Sequence, residues 1–164
     1  MSAASRPRPT HEPTLEDTMR PETHPHSTAD RPAADAPTPG HERWARIGLG
    51  VRLAYNPLKP AVIRHWLCLG ERLVAEDQID ELPMWRCAFD TLVQVARDAA
   101  LPLAWRSAAL DHAVRPAVRL AGVLRRQGAV ARAAEVSASL DRALVAVEQA
   151  TALALANGVR GARA

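Results

Sequence analysis

Past residue 40 the large apolar residues return every three or four positions, and each such run is closed by a proline or a glycine. A period near 3.6 gathers those side chains on one face of a helix and is incompatible with the two-residue alternation of a strand. Val62, Trp66, Leu69 and Leu73 form one such stripe, and Trp85, Phe89, Leu92 and Ala96 form another. The first segment, HERWARIGLGVRLAY, is expected to stop at Asn56-Pro57, because the residue before a proline avoids the helical region. The second is predicted from about Pro60 to Asp77, and the third from Asp80, as N-cap, to a stop before Pro102. A fourth runs from Pro102 to Gly128, with Trp105, Ala109 and His112 on one side and Leu103, Leu110 and Val114 on another. Apolar residues on two sides predict the most enclosed helix, and Pro116 predicts a kink in it. The fifth carries Ala133, Val136, Leu140, Ala143, Val147, Ala150 and Ala154 in alternating steps of three and four, with Asn157-Gly158 as its stop. The expected architecture is therefore all-α, a single bundle of about five helices over residues 41–158, with 159–164 frayed.

Residues 1–40 have a different character. They hold eight of the thirteen prolines, and their sizeable apolar side chains are Met1, Leu15 and Met19. A segment with so little to bury does not offset its ordering entropy and is expected to be disordered. It lacks the apolar run of a secretory signal, and its carboxylates argue against a transit peptide. No stretch of the chain approaches the ~20 apolar residues of a membrane span, so the expectation is a cytoplasmic protein without a membrane partner. His11, His24 and His26 in this tail are incidental to a metal site on this reading.

Charge divides the same way. The tail has four arginines against six carboxylates, a net of −2, and residues 41–164 have 17 basic against 12 acidic residues, a net of +5. A basic bundle raises nucleic acid as a partner, through Arg115, Arg119, Arg125, Arg126 and Arg132. Their spread over several segments, without a recognised motif, argues against it.

Three tryptophans are each followed two residues later by a cysteine or serine: Trp66/Cys68, Trp85/Cys87 and Trp105/Ser107. On a helix that spacing turns about 200°, so tryptophans facing the core leave Cys68, Cys87 and Ser107 facing outward. Cys68 has Arg64, His65 and Arg72 within one turn, and cations near a thiol favour its nucleophilic form; it is the candidate reactive thiol. Cys87 has Asp90, Thr91 and Gln94 instead. The plainer reading makes both cysteines small fillers between helices. His65, Cys68, Cys87 and His112 together have the composition of a zinc site, but their spacing fits no zinc-finger pattern and His112 is expected on a core face. Two cysteines are too few for a disulfide scaffold and fit a reducing compartment. Asp111, beside His112 and four residues before Arg115, is better placed for an ion pair or a cap than for acid–base chemistry, since neighbouring residues on a helix do not face each other. No phosphate loop, metalloprotease motif or nucleophile elbow is present. The expectation is a non-enzymatic protein with no cofactor.

The segments NPLKP (56–60), HWLCLGERL (65–73), LPLAWR (101–106) and LDHAVRP (110–116) together resemble the FagA family, over about residues 44–120. These are small bacterial proteins associated with iron-limitation gene clusters that also carry fumarase and superoxide dismutase. The resemblance implies a role in iron-limitation and oxidative-stress physiology. No catalytic or binding residue comes with it. Action through protein–protein contact, with an unknown partner or as a homo-oligomer through the last helix, is the leading expectation. The alternatives are a thiol- or metal-dependent accessory protein using Cys68 and His65, and a basic nucleic-acid-binding bundle.

Overall fold

The computed structural model describes residues 39–161, with side-chain exposure through residue 157. These residues form five α-helices: α1 (Pro39–Arg52), α2 (Ala61–Ala75), α3 (Glu81–Arg97), α4 (Leu103–Arg126) and α5 (Val130–Gly161). No strand occurs among the described residues. The disorder expected of the N-terminal tail lies outside them, apart from Pro39 and Gly40, which open α1.

Three of the connections use one device. Ala54, Asp77 and Gly128 have φ values of 48°, 52° and 73°, the left-handed conformation that reverses a chain at a helix end. In each case the next amide bonds back over a full turn: Tyr55 to the carbonyl of Gly50, Gln78 to Leu73, Ala129 to Leu124. This satisfies carbonyls that a helix end would otherwise leave open. Only the third site carries the glycine such a turn favours. That is why α1 ends at Arg52, short of the Asn56-Pro57 stop, and α2 ends at Ala75. The third helix likewise ends at Arg97, where Asp98 turns extended and its Oδ1 accepts the amide of Ala100 at 2.9 Å. Asp80 does hold the extended conformation of an N-cap, but its side chain makes no capping bond.

α3 is the hub. It packs against all four other helices, most extensively against α4, while α1 and α2 lie on one flank and α5 makes contact only with α3 and α4. α4 carries the most buried residues, eleven against eight in α3, as apolar residues on two sides predict, but Val114, on one of its expected core faces, is exposed, and His112 on the other is half-buried. Its buried line runs instead through Trp105, Ala109, Ala113, Pro116, Ala117 and Leu120. The helix continues through the buried Pro116 to Arg126.

Two neighbouring residues of α4 tie the other helices together. The Trp105 indole donates to the carbonyl of Val51 at 3.1 Å, and Arg106 Nε donates to the carbonyl of Ala96 at 3.0 Å. Both acceptors lie in the last turns of their helices, α1 and α3, where carbonyls lack the full helical bond and the dipole favours a cation, and that of Val51 also accepts the Ala54 amide at 3.2 Å. Arg106 is 7% exposed, an arginine kept inside because it caps α3.

On the opposite side, α1 and α2 interlock. Trp44 and Trp66 stack with centroids 5.4 Å apart and planes 20° off parallel. Each lies on the other helix's glycine: a Cβ on Gly70 would meet Trp44 Nε1 at 2.7 Å, and one on Gly48 would meet Trp66 at 3.0 Å. Both indole N–H groups are buried without a hydrogen-bond partner. Leaving such a donor unmade costs about 1–3 kcal/mol, which burial of two large rings offsets.

α5 spans 32 residues against 24 in α4, about 48 Å against 36 Å at 1.5 Å per residue. It passes through the expected Asn157-Gly158 stop. Through residue 157 its buried core positions are Ala133, Val136, Ala143 and Val147, and none follows Val147.

Candidate functional site

The three tryptophans that open the Trp-x-Cys/Ser triplets face the core: Trp66 and Trp105 are each 1% exposed and Trp85 is buried beside them. Two residues on, Cys68 and Cys87 are free and exposed, and Ser107 is half-covered. The helix has turned, as the geometry of the spacing requires. Cys68 faces outward rather than filling an interhelical gap, whereas Cys87 borders one where α1, α2 and α3 meet.

Cys68 opens into a cleft of about 370 Å³ lined by Arg43, His65, Leu69 and Arg72. The sequence neighbours His65 and Arg72 are there as expected, but Arg64 is not part of the wall. Arg43 takes its place, delivered from α1. A reading of one helix at a time had no means of finding it, because the pairing of α1 with α2 brings it in. Among the described residues no carboxylate lines the cleft. Arg72 also lies 3.6 Å from Glu76, one turn along the same helix.

The second thiol has opposite surroundings. Cys87 lines a cleft with Leu82, Pro83, Arg86 and Asp90, and it also borders one formed by Trp44, Gly48, Trp66 and Thr91. Burial pushes its pKa above the ordinary 9.0, a hydrogen bond with the Thr91 side chain works against that, and the Asp90 charge adds to it. The residue as a whole counts as exposed, yet its sulfur is partly desolvated. Asp90 is itself raised above 3.8 by burial, opposed by Arg86.

The four candidate metal ligands are not assembled. Cys68 and Cys87 face different clefts, and His112 sits half-buried on α4. Among the described residues no three His, Cys, Asp or Glu side chains come together in a way that would hold a metal ion. His11, His24 and His26 lie outside the described residues.

Asp111 is exposed and is not the partner of Arg115. Arg115 instead reaches across to Glu71 on α2, at 2.6 and 2.7 Å from its two oxygens. Of the other arginines of the nucleic-acid reading, Arg126 pairs with Glu81 at 3.1 Å. Arg132 shares its cleft with Asp90 and Glu135. Arg119 and Arg125 are exposed. Carboxylates from other helices thus answer much of this positive charge. No described helix is long and apolar enough to cross a membrane.

A scan against protein-family models finds no match to the chain, and neither the curated proteins nor the solved structures give one.

Proposed function

We propose that this chain is a non-enzymatic helical protein of the FagA type that acts through protein–protein contact, made by the far end of α5. One observation carries the reading. From Glu148 to Asn157 every residue is exposed except the half-covered Ala150, and Leu153 and Leu155 are 66% and 67% exposed. The stretch ATALALA within it has no charge. A helix in water draws most of its stability from packing an apolar face, so three turns with nothing among the described residues against them call for a partner. A second copy of the chain is the occupant in this reading, since the same uncharged helix on both sides leaves no charge to be buried.

The resemblance to the FagA family supports the physiological part of the proposal, in iron limitation and oxidative stress. The segments that carry it hold the residues that lock this fold. NPLKP turns the chain from α1 to α2, HWLCLGERL brings Trp66 and Gly70, and LPLAWR brings Trp105 and Arg106. Two unpaired, exposed thiols support a reducing compartment such as the cytoplasm. Sedimentation equilibrium over a range of concentrations tests the contact. A reversible oligomer that the double substitution Leu153→Glu, Leu155→Glu returns to monomer, with helicity kept, supports the proposal. A chain that is monomeric at every concentration overturns the homo-oligomer.

A further inference from the structure

The two exposed thiols of this protein stand in opposite electrostatic settings. Around Cys68, two arginines and a histidine from two different helices converge on one cleft with no carboxylate among the described residues of its wall, the nearest to its arginines being Glu76, 3.6 Å from Arg72 and one turn along α2. Around Cys87, Asp90 stands close enough to disfavour a negative charge on the sulfur, and Arg86 is shared with that carboxylate. A concave surface with one sign of charge raises the local concentration of small ions of the other sign and their encounter rate. At Cys68 that surface surrounds a nucleophile.

We propose that Cys68 is a thiol–disulfide exchange site for small disulfides that bear carboxylates, with Arg43 and Arg72 holding the carboxylates. The Cys68 thiolate, its proton lost to solvent, attacks one sulfur of the incoming disulfide. The S–S bond breaks, its electron pair leaves on the second sulfur as a thiolate, and a mixed disulfide remains on Cys68. The oxidant is the small disulfide itself, and one disulfide is present before and after. Cys87 lies in a different cleft and does not resolve the adduct, so the modification persists until a small thiol reverses it. This site is independent of the contact assigned to α5.

The test uses the full chain as two variants, Cys87→Ser to leave Cys68 and Cys68→Ser to leave Cys87. Each reacts with an anionic disulfide, dithiobis-nitrobenzoate, and with a neutral one, dithiodipyridine, and the released chromophore gives the rate constants. The informative quantity is the anionic-to-neutral rate ratio at each sulfur, because intrinsic differences in thiol reactivity largely cancel in it. At low salt the ratio at Cys68 should exceed that at Cys87 by about tenfold. It should fall toward the Cys87 value in high salt, where the screening length contracts. Arg43→Gln and Arg72→Gln should each lower it at Cys68 with the circular dichroism unchanged. Equal ratios at the two cysteines, or a Cys68 ratio indifferent to salt, would overturn the proposal without any arginine variant being needed.

Discussion

Trp44 and Trp66 join α1 to α2 by each resting on the other helix's glycine, whereas α4 and α5 both bury small residues, Ala113, Ala117 and Ala121 on one and Ala133 and Ala143 on the other, and share a cleft lined by Ala117, Ala121 and Leu140. Both arrangements bring helices close. The first is a bulky group in a matching hole, repeated twice, and it has one register. The second is a row of similar methyl groups in which neighbouring registers differ little, so Val136, Leu140 and Val147 must set the alignment. The contrast teaches where this protein is sensitive. Loss of bulk should hurt most on the α1–α2 flank, and gain of bulk should hurt on both, except where a glycine faces open space.

The largest effect belongs to Trp66→Ala, which should destabilise by about 3–5 kcal/mol and be read as a large drop in Tm. Cys68→Ser, two residues along on the exposed face, should leave Tm nearly unchanged. A tryptophan variant as stable as the serine variant would dissolve the contrast. On the other flank, Ala143→Leu should cost about 1–3 kcal/mol by overfilling a position with no exposure. An unchanged Tm there would mean that the alanine seam yields easily.

Glycines sharpen the comparison further. Gly70→Ala would place a methyl 2.7 Å from Trp44 Nε1 and 3.0 Å from the Met84 sulfur, whereas a methyl on Gly50 meets nothing within 4 Å. The first should therefore destabilise by roughly 1–2 kcal/mol net, overpacking outweighing the gain in helix propensity. The second should stabilise by about 0.5–1 kcal/mol. Chemical denaturation of the two variants side by side decides it, since the interlock requires opposite signs.

The smallest effect lies at the edge of α3, between the flanks. Burial raises the Asp90 pKa above 3.8, so the folded state holds that proton more tightly than the unfolded chain does. The carboxylate therefore opposes folding once ionised, and this opposition is absent at pH below about 3.8 and complete above the folded value. Asp90→Asn should gain no more than about 0.5 kcal/mol at neutral pH, the gain reduced by the lost attraction to Arg86. Stability curves for the two proteins should converge as pH falls, and a gap that widened in acid would reverse the assignment.

Much of this architecture was legible in the chain. The stripes of Trp66, Leu69 and Leu73, and of Trp85, Phe89 and Leu92, are buried as their spacing requires, and Gly128 turns the chain where a glycine was expected. The outward direction of both cysteines followed from helical geometry alone. What stayed hidden depends on contacts between helices. Ala54 and Asp77 carry no mark of a left-handed turn, because the tertiary path imposes it. Arg106 reads as a surface residue until the end of α3 is placed beside it. Arg43 joins Cys68 only once α1 lies on α2. The Trp-on-glycine interlock had a visible signal, the same W-x-x-x-G spacing at Trp44–Gly48 and Trp66–Gly70, but a lone spacing of that kind names no partner.

The paired bonds from Trp105 and Arg106 also bear on how the chain assembles in time. The carbonyl of Ala96 finds its donor ten residues later, and the carbonyl of Val51 finds its donor 54 residues later. Closing the longer loop carries the larger entropic penalty, and synthesis delivers the segments in order from the N-terminus. The corner between α3 and α4 is thus available to close as soon as it leaves the ribosome, while α1, made first, waits through two more helices for the indole that caps it. The helix born earliest can pair with α2 at once, but its bond to Trp105 is among the last to be made.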